Sequence, residues 1–231
     1  MTGPELTAES FSSIVLYEDN HLLVVDKPAG LLAQGDKSGR PNLLDLAKDY
    51  IRIKYRKPGR AYLGLTHRLD RQVSGVMVLA RTSKAAARLS AQFRDRTAGK
   101  IYWALVHGRP LPAEGALETR LARWGRLTIP AGAEDRPGRP ARLWYRTLSA
   151  GDETSLLEVR LGTGRRHQIR AQLAALGHPI LGDAKYGSSV APEADAIGLL
   201  ARALTLRHPT LDREMTFQAD PPAHWPWTGA R

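Results

Sequence analysis

Cysteine is absent from the 231 residues, so neither a disulfide framework nor a thiolate metal site can be built from this chain. The seven histidines form no HxH or HxxxH pair, which leaves little basis for histidine-ligated metal catalysis. No run of about 18 apolar residues is available to span a membrane as a helix. Residues 1–11 carry Glu5 and Glu9 and no apolar core, so they read as neither a signal nor a transit peptide. A cytoplasmic protein with no membrane partner is expected. The familiar phosphate and hydrolase signatures are missing as well: there is no GxxxxGKS or GxxxxGKT, no GxGxxG and no serine-centred GxSxG. Repeats and low-complexity segments are absent. Acidic residues are in deficit, 23 Asp and Glu against 34 Lys and Arg, leaving a formal charge of +11. Such a surplus favours a polyanionic partner, nucleic acid first, although an Arg-, Ala-, Gly- and Pro-rich composition is basic without any such partner.

What is present is an ordinary globular balance, 42% hydrophobic and 25% charged, with chain enough for one large domain or two small lobes. The densest stretch is His67-Arg68-Leu69-Asp70-Arg71-Gln72-Val73-Ser74-Gly75. It leads into the β-branched run Val76–Ala80, short and bounded, which reads as a buried strand. Asp70 then lies on a loop feeding a core strand, where a scaffold can hold a reactive group. On its own, an aspartate in such a loop is most often a turn residue.

In chain order, residues 13–17 and 21–25 read as two strands, the second closed by Asp26-Lys27-Pro28-Ala29-Gly30. Pro41-Asn42 opens a helix with Leu43, Leu46, Ala47, Tyr50 and Ile51 at helical spacing. Its far end is basic, with Arg52, Lys54, Arg56, Lys57 and Arg60 around Tyr55 and Tyr62. That end is either a solvated helix terminus or a phosphate-contacting surface. Thr82 or Ser83 caps a second helix running to about Arg96, with Ala86, Leu89 and Phe93 inward and Gly99 as its stop. Residues 100–106 are a strand, 116–129 an irregular hairpin region, and 130–140 a flexible loop. Strands follow at 142–148 and 155–161. Gly162–Arg170 then places glycines ahead of a basic helix start, as anion binding at a helix N-terminus requires. In that helix Ile169, Leu173 and Leu176 share one face, leaving Arg165, Arg166 and Arg170 for solvent, phosphate or an internal carboxylate. Strands near 204–206 and 215–217 precede a Pro/Trp tail.

Four stretches together resemble the RluA-type family of RNA pseudouridine synthases, from about residue 14 to residue 222. His67-Arg68-Leu69-Asp70 with Ser74-Gly75 is similar to the family's catalytic-loop signature. Lys100–Gly108 is similar to its KxYxAxVxG strand, Val25–Leu31 to its KPAG motif, and Gly164–Arg170 with the continuation to Gly187 to its GRxHQIR segment. The resemblance implies an α+β fold: a mixed, mainly antiparallel sheet in two lobes flanked by helices, with a central basic cleft. Residues 13–225 would be the catalytic domain, 1–12 an extension and 226–231 a tail. With core strands starting near residue 14, no room is expected for the S4-type RNA-binding domain of many relatives.

The implied function is isomerisation of uridines in ribosomal or transfer RNA by a monomer, with no cofactor and no metal. The base would be flipped out, its glycosidic bond broken by an aspartate-initiated step, and the base rejoined through carbon. The resemblance makes Asp70 the catalytic aspartate, Tyr102 the tyrosine against the uracil, and Arg165 the basic partner of the aspartate. Arg68 would fill the space left by the flipped uridine. His67, Ile169, Arg166 and Arg170 complete the expected substrate-binding set. Val73 stands where Thr is usual and Gln172 where His is common, both departures that bear on positioning and target choice. An inactive RNA-binding or RNA-folding protein on the same scaffold is the alternative, although it would have no need of Asp70, Tyr102 and Arg165 together. A nuclease or glycosidase would want a metal cluster or paired carboxylates, and neither is visible.

Overall fold

A computed structural model describes residues 6–132, 137–191, 195–222 and 225. Residues 1–5, 133–136 and 226–231, which belong to the expected extension, loop and tail, lie outside the described residues. The fold is α+β. Its first elements are β1 (Val15–Glu18), β2 (Leu22–Lys27), α1 (Leu43–Lys54), β3 (Gly64–Leu65), β4 (Ser74–Ala80) and α2 (Ser83–Asp95). Then come β5 (Gly99–His107), β6 (Glu114–Trp124), β7 (Leu127–Pro130), β8 (Arg139–Ala150), β9 (Thr154–Leu161), α3 (Gln168–Ala175), β10 (Leu199–Arg207) and β11 (Glu214–Gln218). The chain divides into two compact units, residues 1–99 with 203–220, and residues 100–202 with 221–231. No helix among the described residues is long and apolar enough to cross a membrane.

In the first unit β2 is flanked by antiparallel β1 and β4, with Leu22 opposite Ala80 and Lys27 opposite Gly75. All seven residues of β4 are buried, as a continuous β-branched run demands. The two helix starts follow their caps. The Asn42 side chain accepts the Asp45 N–H at 3.1 Å, and Thr82 Oγ1 accepts the Ala85 N–H at 3.1 Å, each satisfying an orphan donor of a first turn. Two expectations need correction. Phe11, placed in the extension, is fully buried and stacks on Tyr50 at 5.1 Å, so core packing begins before residue 13. Gly99 does not stop α2; Arg96 does, in the left-handed conformation at φ 61°. Gly99 instead opens β5, where an added Cβ would press on Thr205 Cβ at 3.3 Å.

The second unit pairs β5 with β9, β9 with β8, β8 with β6 and β6 with β7, all antiparallel. Residues 116–129, expected to be an irregular hairpin region, lie within a regular hairpin of β6 and β7 turning at Gly125-Arg126. Alternation is visible on β8, where Ala141, Leu143 and Tyr145 are buried while Arg142, Trp144 and Arg146 are exposed. Helix α3 packs Ala171 against Leu121 and Ala141. It is not amphipathic: Gln168 through Leu173 are all buried, so the expected anion-binding helix start is enclosed by chain.

One carboxylate gathers the far ends of β1, α1 and β4. The Glu18 side chain, 7% exposed, accepts from Lys54 Nζ at 2.7 Å, Tyr55 Oη at 2.7 Å, Tyr50 Oη at 2.9 Å and Arg81 Nη1 at 3.0 Å. Burial pushes its carboxyl up, but the Lys54, Tyr55 and Tyr50 hydrogen bonds outweigh it and the group sits below its ordinary value. Glu18→Ala is expected to lower stability by about 2–3 kcal/mol, because the enclosed Tyr50 hydroxyl and Arg81 guanidinium lose a charged acceptor. With the folded-state value depressed, this contribution is present above pH 4.5 and is lost as pH falls through the folded value. Urea unfolding of both proteins at pH 7 and pH 4 measures it; equal stability at pH 7 removes the hub.

Candidate active site

Asp70 lies in the first unit, on the loop between β3 and β4, half-buried between exposed Arg68 and half-buried Arg71, with Leu69 turned into the core. The loop is tied from several directions. Val73 N–H donates to the Asp70 carbonyl at 3.1 Å, and Gly30 N–H donates to the Arg71 carbonyl at 2.8 Å. Gly30 adopts φ 83°, a conformation natural to glycine. His67 Nε2 accepts the Val78 N–H at 3.0 Å while its ring stacks on Phe93 of α2 at 4.5 Å. That acceptor role puts the ring proton of a neutral His67 on Nδ1. His67 was expected at the substrate; what the structure gives it is the task of bracing the loop against β4 and α2.

The strongest tie was missed by sequence reasoning. Lys27, the lysine of the KPAG stretch, is 0% exposed, and its ammonium donates to the carbonyls of Pro28 at 2.7 Å, Leu31 at 2.9 Å and Arg71 at 3.2 Å. One side chain thus binds the loop after β2 to the loop that carries Asp70. Burial pushes the Lys27 ammonium down to about 7, the Asp70 charge pulls it up, Arg71 pushes it down and Asp26 pulls it up. Its neighbour Asp26 is pushed up to about 6 by burial and by the Asp220 charge, with Lys27 opposing. The only sequence signal was a lysine before a Pro-Ala-Gly turn, which in isolation reads as a surface charge.

Tyr102, Arg165, Arg166, Ile169 and Arg170 belong to the second unit. Tyr102 is half-buried on β5, opposite Val159 of β9. Arg165 is half-buried in the loop before α3, its Nε donating to the Pro140 carbonyl at 3.1 Å. Its backbone N–H donates to Gln168 Oε1 at 3.0 Å; the same oxygen accepts Thr163 Oγ1 at 2.7 Å, and Gln168 Nε2 donates to the Arg142 carbonyl at 3.0 Å. Gln168, also missed, therefore sets the loop that presents Arg165. Arg166 is exposed, with Nη2 3.4 Å from the Arg126 carbonyl. Ile169 is core. Arg170 corrects the expectation most clearly. It is 3% exposed, and its guanidinium forks onto Asp183 at 2.6 and 2.7 Å. A bidentate pair sealed in the interior holds the fold and is not available to RNA.

Residues 21–175 match the RNA pseudouridylate synthase family. The chain is 39% identical over 219 residues to the dual-specificity RNA pseudouridine synthase RluA of Escherichia coli O6:H1, covering 89% of this chain and 92% of that one. The family is thereby decided. This protein belongs to the RNA pseudouridine synthases. A further relative of this synthase is the ribosomal large subunit pseudouridine synthase D of Nitrosomonas europaea, 37% identical, covering 87% of this chain and 60% of that one. Among solved structures, human RNA pseudouridylate synthase domain containing 4 matches with a TM-score of 0.79 at 26% identity, over 94% of this chain and 92% of its own. The synthase is an isomerase acting on RNA.

Lys27→Met keeps the bulk of the side chain and takes the ammonium donor from the Pro28, Leu31 and Arg71 carbonyls, of which, among the described residues, only Arg71 keeps another donor, the Gly30 N–H; the expected loss is about 1–3 kcal/mol. Because the native ammonium sits near 7 against an ordinary 10.5, the unfolded chain binds the extra proton across that window. The Lys27 contribution therefore rises with pH from 7 toward 10.5, on the order of 1 kcal/mol per pH unit. Urea unfolding at pH 7 and pH 9 should show that rise in the wild type and a smaller one in Lys27→Met. Identical pH slopes would contradict the buried, depressed ammonium.

Proposed function

We propose that this synthase isomerises a uridine of ribosomal or transfer RNA to pseudouridine, with Asp70 as the catalytic residue. The setting of Asp70 carries this reading. A carboxylate on a core-feeding loop, tied by Lys27, Gly30, Val73 and His67, is held where it can act as nucleophile or base with little reorganisation. The isomerisation breaks the C–N glycosidic bond and forms a C–C bond to uracil C5. The C5 proton is released and the former glycosidic nitrogen takes one up. Tyr102 is proposed to lie against the uracil and assist that proton movement. Arg165 is proposed to keep the aspartate ionised, a role suited to a guanidinium that stays charged and offers a planar fork. Arg68, exposed two residues before Asp70, is proposed to occupy the space vacated by the flipped base, whose extrusion from a stack costs a few kcal/mol. A ribosomal RNA target is supported by the name of one relative, a ribosomal large subunit pseudouridine synthase, and another relative is named as dual-specific; the transfer RNA alternative rests on the motif resemblance. Every residue in the scheme comes from one chain, which supports action as a monomer; a cytoplasmic location completes the proposal.

Asp70→Asn preserves size and turn hydrogen bonding but removes the carboxylate. Tritium release from RNA labelled at uracil C5 should fall by at least about a thousandfold, while filter binding to the same RNA changes by less than about threefold. Turnover within tenfold of wild type in a folded Asp70→Asn protein sinks the assignment.

Arg68→Ala is expected to lose about tenfold more activity on a uridine in a folded stem-loop than on the same uridine in an unstructured oligonucleotide, since only the first must be unstacked. Equal losses on both substrates would take Arg68 out of the flipping step.

A further inference from the structure

We propose that Arg56, Lys57 and Arg60 form a docking surface for the phosphate backbone of the RNA strand flanking the target uridine. The proposal rests on the RNA reading above and deepens it. Residues 52–60 are exposed throughout, yet their five cations fall into two classes. Arg52 pairs with Asp49 at 3.4 Å, and Lys54 is fixed by Glu18 at 2.7 Å and Tyr50 Oη at 2.9 Å. Among the described residues, Arg56, Lys57 and Arg60 make no ion pair. Arg60 comes near enough to Asp45 to help lower its carboxyl, after the hydrogen bonds from Asn42 and Lys48, without pairing with it. Three neighbouring cations left to solvent repel one another, and a row of phosphates relieves that repulsion while releasing counterions.

The turn that carries them is built, not frayed. Arg56 takes the left-handed conformation at φ 48°, which costs an arginine on the order of 1–2 kcal/mol. Arg56 N–H and Lys57 N–H nevertheless close on the Ile53 and Arg52 carbonyls at 3.1 and 3.0 Å. On one side the segment is rooted by Lys54 and Tyr55 on Glu18; on the other Ala61 and Leu63 enter the core while Tyr62 stays half exposed. From Arg56 to Arg60 the backbone can reach roughly 14 Å, enough to meet more than one phosphate of a strand. Arg60 precedes Asp70 by ten residues in the same compact unit.

The test compares the triple variant Arg56→Gln, Lys57→Gln, Arg60→Gln with Lys54→Gln and wild type. Binding to a fluorescent RNA stem-loop with a uridine in its loop is measured across a salt series, alongside steady-state pseudouridine formation and thermal melting. The triple variant should melt as wild type does and lose about two to three from the slope of log affinity against log salt. Its KM should rise by roughly tenfold or more with kcat unchanged, as loss of uniform binding requires. Lys54→Gln should melt lower and keep the wild-type slope. An unchanged slope in a triple variant that melts as wild type does overturns the proposal, as does a fall in kcat with KM unchanged. Binding is read without turnover, so a wild type that binds the stem-loop and forms no pseudouridine overturns the functional reading while the slope still decides this surface.

Discussion

A buried ammonium is costly to hold, and the Asp70 loop depends on one. Lys27 has no exposed surface, and only full hydrogen bonding makes such a group tolerable in the interior. Its three donors find three carbonyls, two from its own loop and one from Arg71. Arginine is too large and planar to reach such a compact set of acceptors, and methionine could not bond to them at all. The arrangement converts a local Pro-Ala-Gly turn into a tether across 44 residues of sequence. The Asp70 charge counters part of the burial penalty on the lysine. A carboxylate on a tethered loop meets one requirement of catalysis, a defined position.

The second unit solves the same problem with neutral groups. Gln168 uses both ends of its amide to bind Thr163, the Arg165 amide and the Arg142 carbonyl, so the loop before α3 cannot shift without breaking buried bonds. Gln172, where the family commonly has histidine, donates to Leu117 O and Thr119 Oγ1, both at 3.0 Å, joining α3 to β6. The site calls for a donor aimed at strand acceptors, which an amide supplies as an imidazole N–H would. Val73 is likewise buried, a setting in which losing the threonine hydroxyl spares a partnerless polar group. Both departures thus sit in buried packing, Val73 in the loop that carries Asp70 and Gln172 on α3.

The parts of the fold legible beforehand are those set by neighbours in sequence. The β-branched run of β4, the caps Asn42 and Thr82, and the antiparallel β8 and β9 follow from local pattern and propensity. The parts misread are set by partners far away. For Arg170 the sequence leaves solvent, phosphate and an internal carboxylate open, and only the fold, by bringing up Asp183, decides for the carboxylate. Gln168 and Gln172 are buried beside it, donating to the Arg142 and Leu117 carbonyls. Gly99 looks like a helix stop and is a packing requirement against Thr205. The same division runs through the candidate site. Motif resemblance singled out Asp70, Tyr102 and Arg165, and its stretches contained Lys27 and Gln168, but what those two residues hold is not legible until the fold supplies their acceptors.

The charge of the chain shows the same dependence on context. A surplus of +11 suggests one extended phosphate-attracting surface, but several of its cations are engaged inside the protein. Lys27 holds backbone carbonyls, Arg170 holds Asp183, and Lys54 and Arg81 converge on Glu18. Removing such a residue acts first on folding, because it strands a buried acceptor. Arg56, Lys57 and Arg60 are exposed and without an ion pair among the described residues, so of the five cations of residues 52–60 these three add most to the field that an approaching RNA meets. Net charge therefore overstates the attraction, and the fraction left unpaired at the surface is the quantity that bears on RNA affinity. In this synthase the two fractions alternate within a few residues of α1 and the turn after it: Lys54 belongs to the fold, Arg56 and Lys57 to whatever polyanion the surface meets.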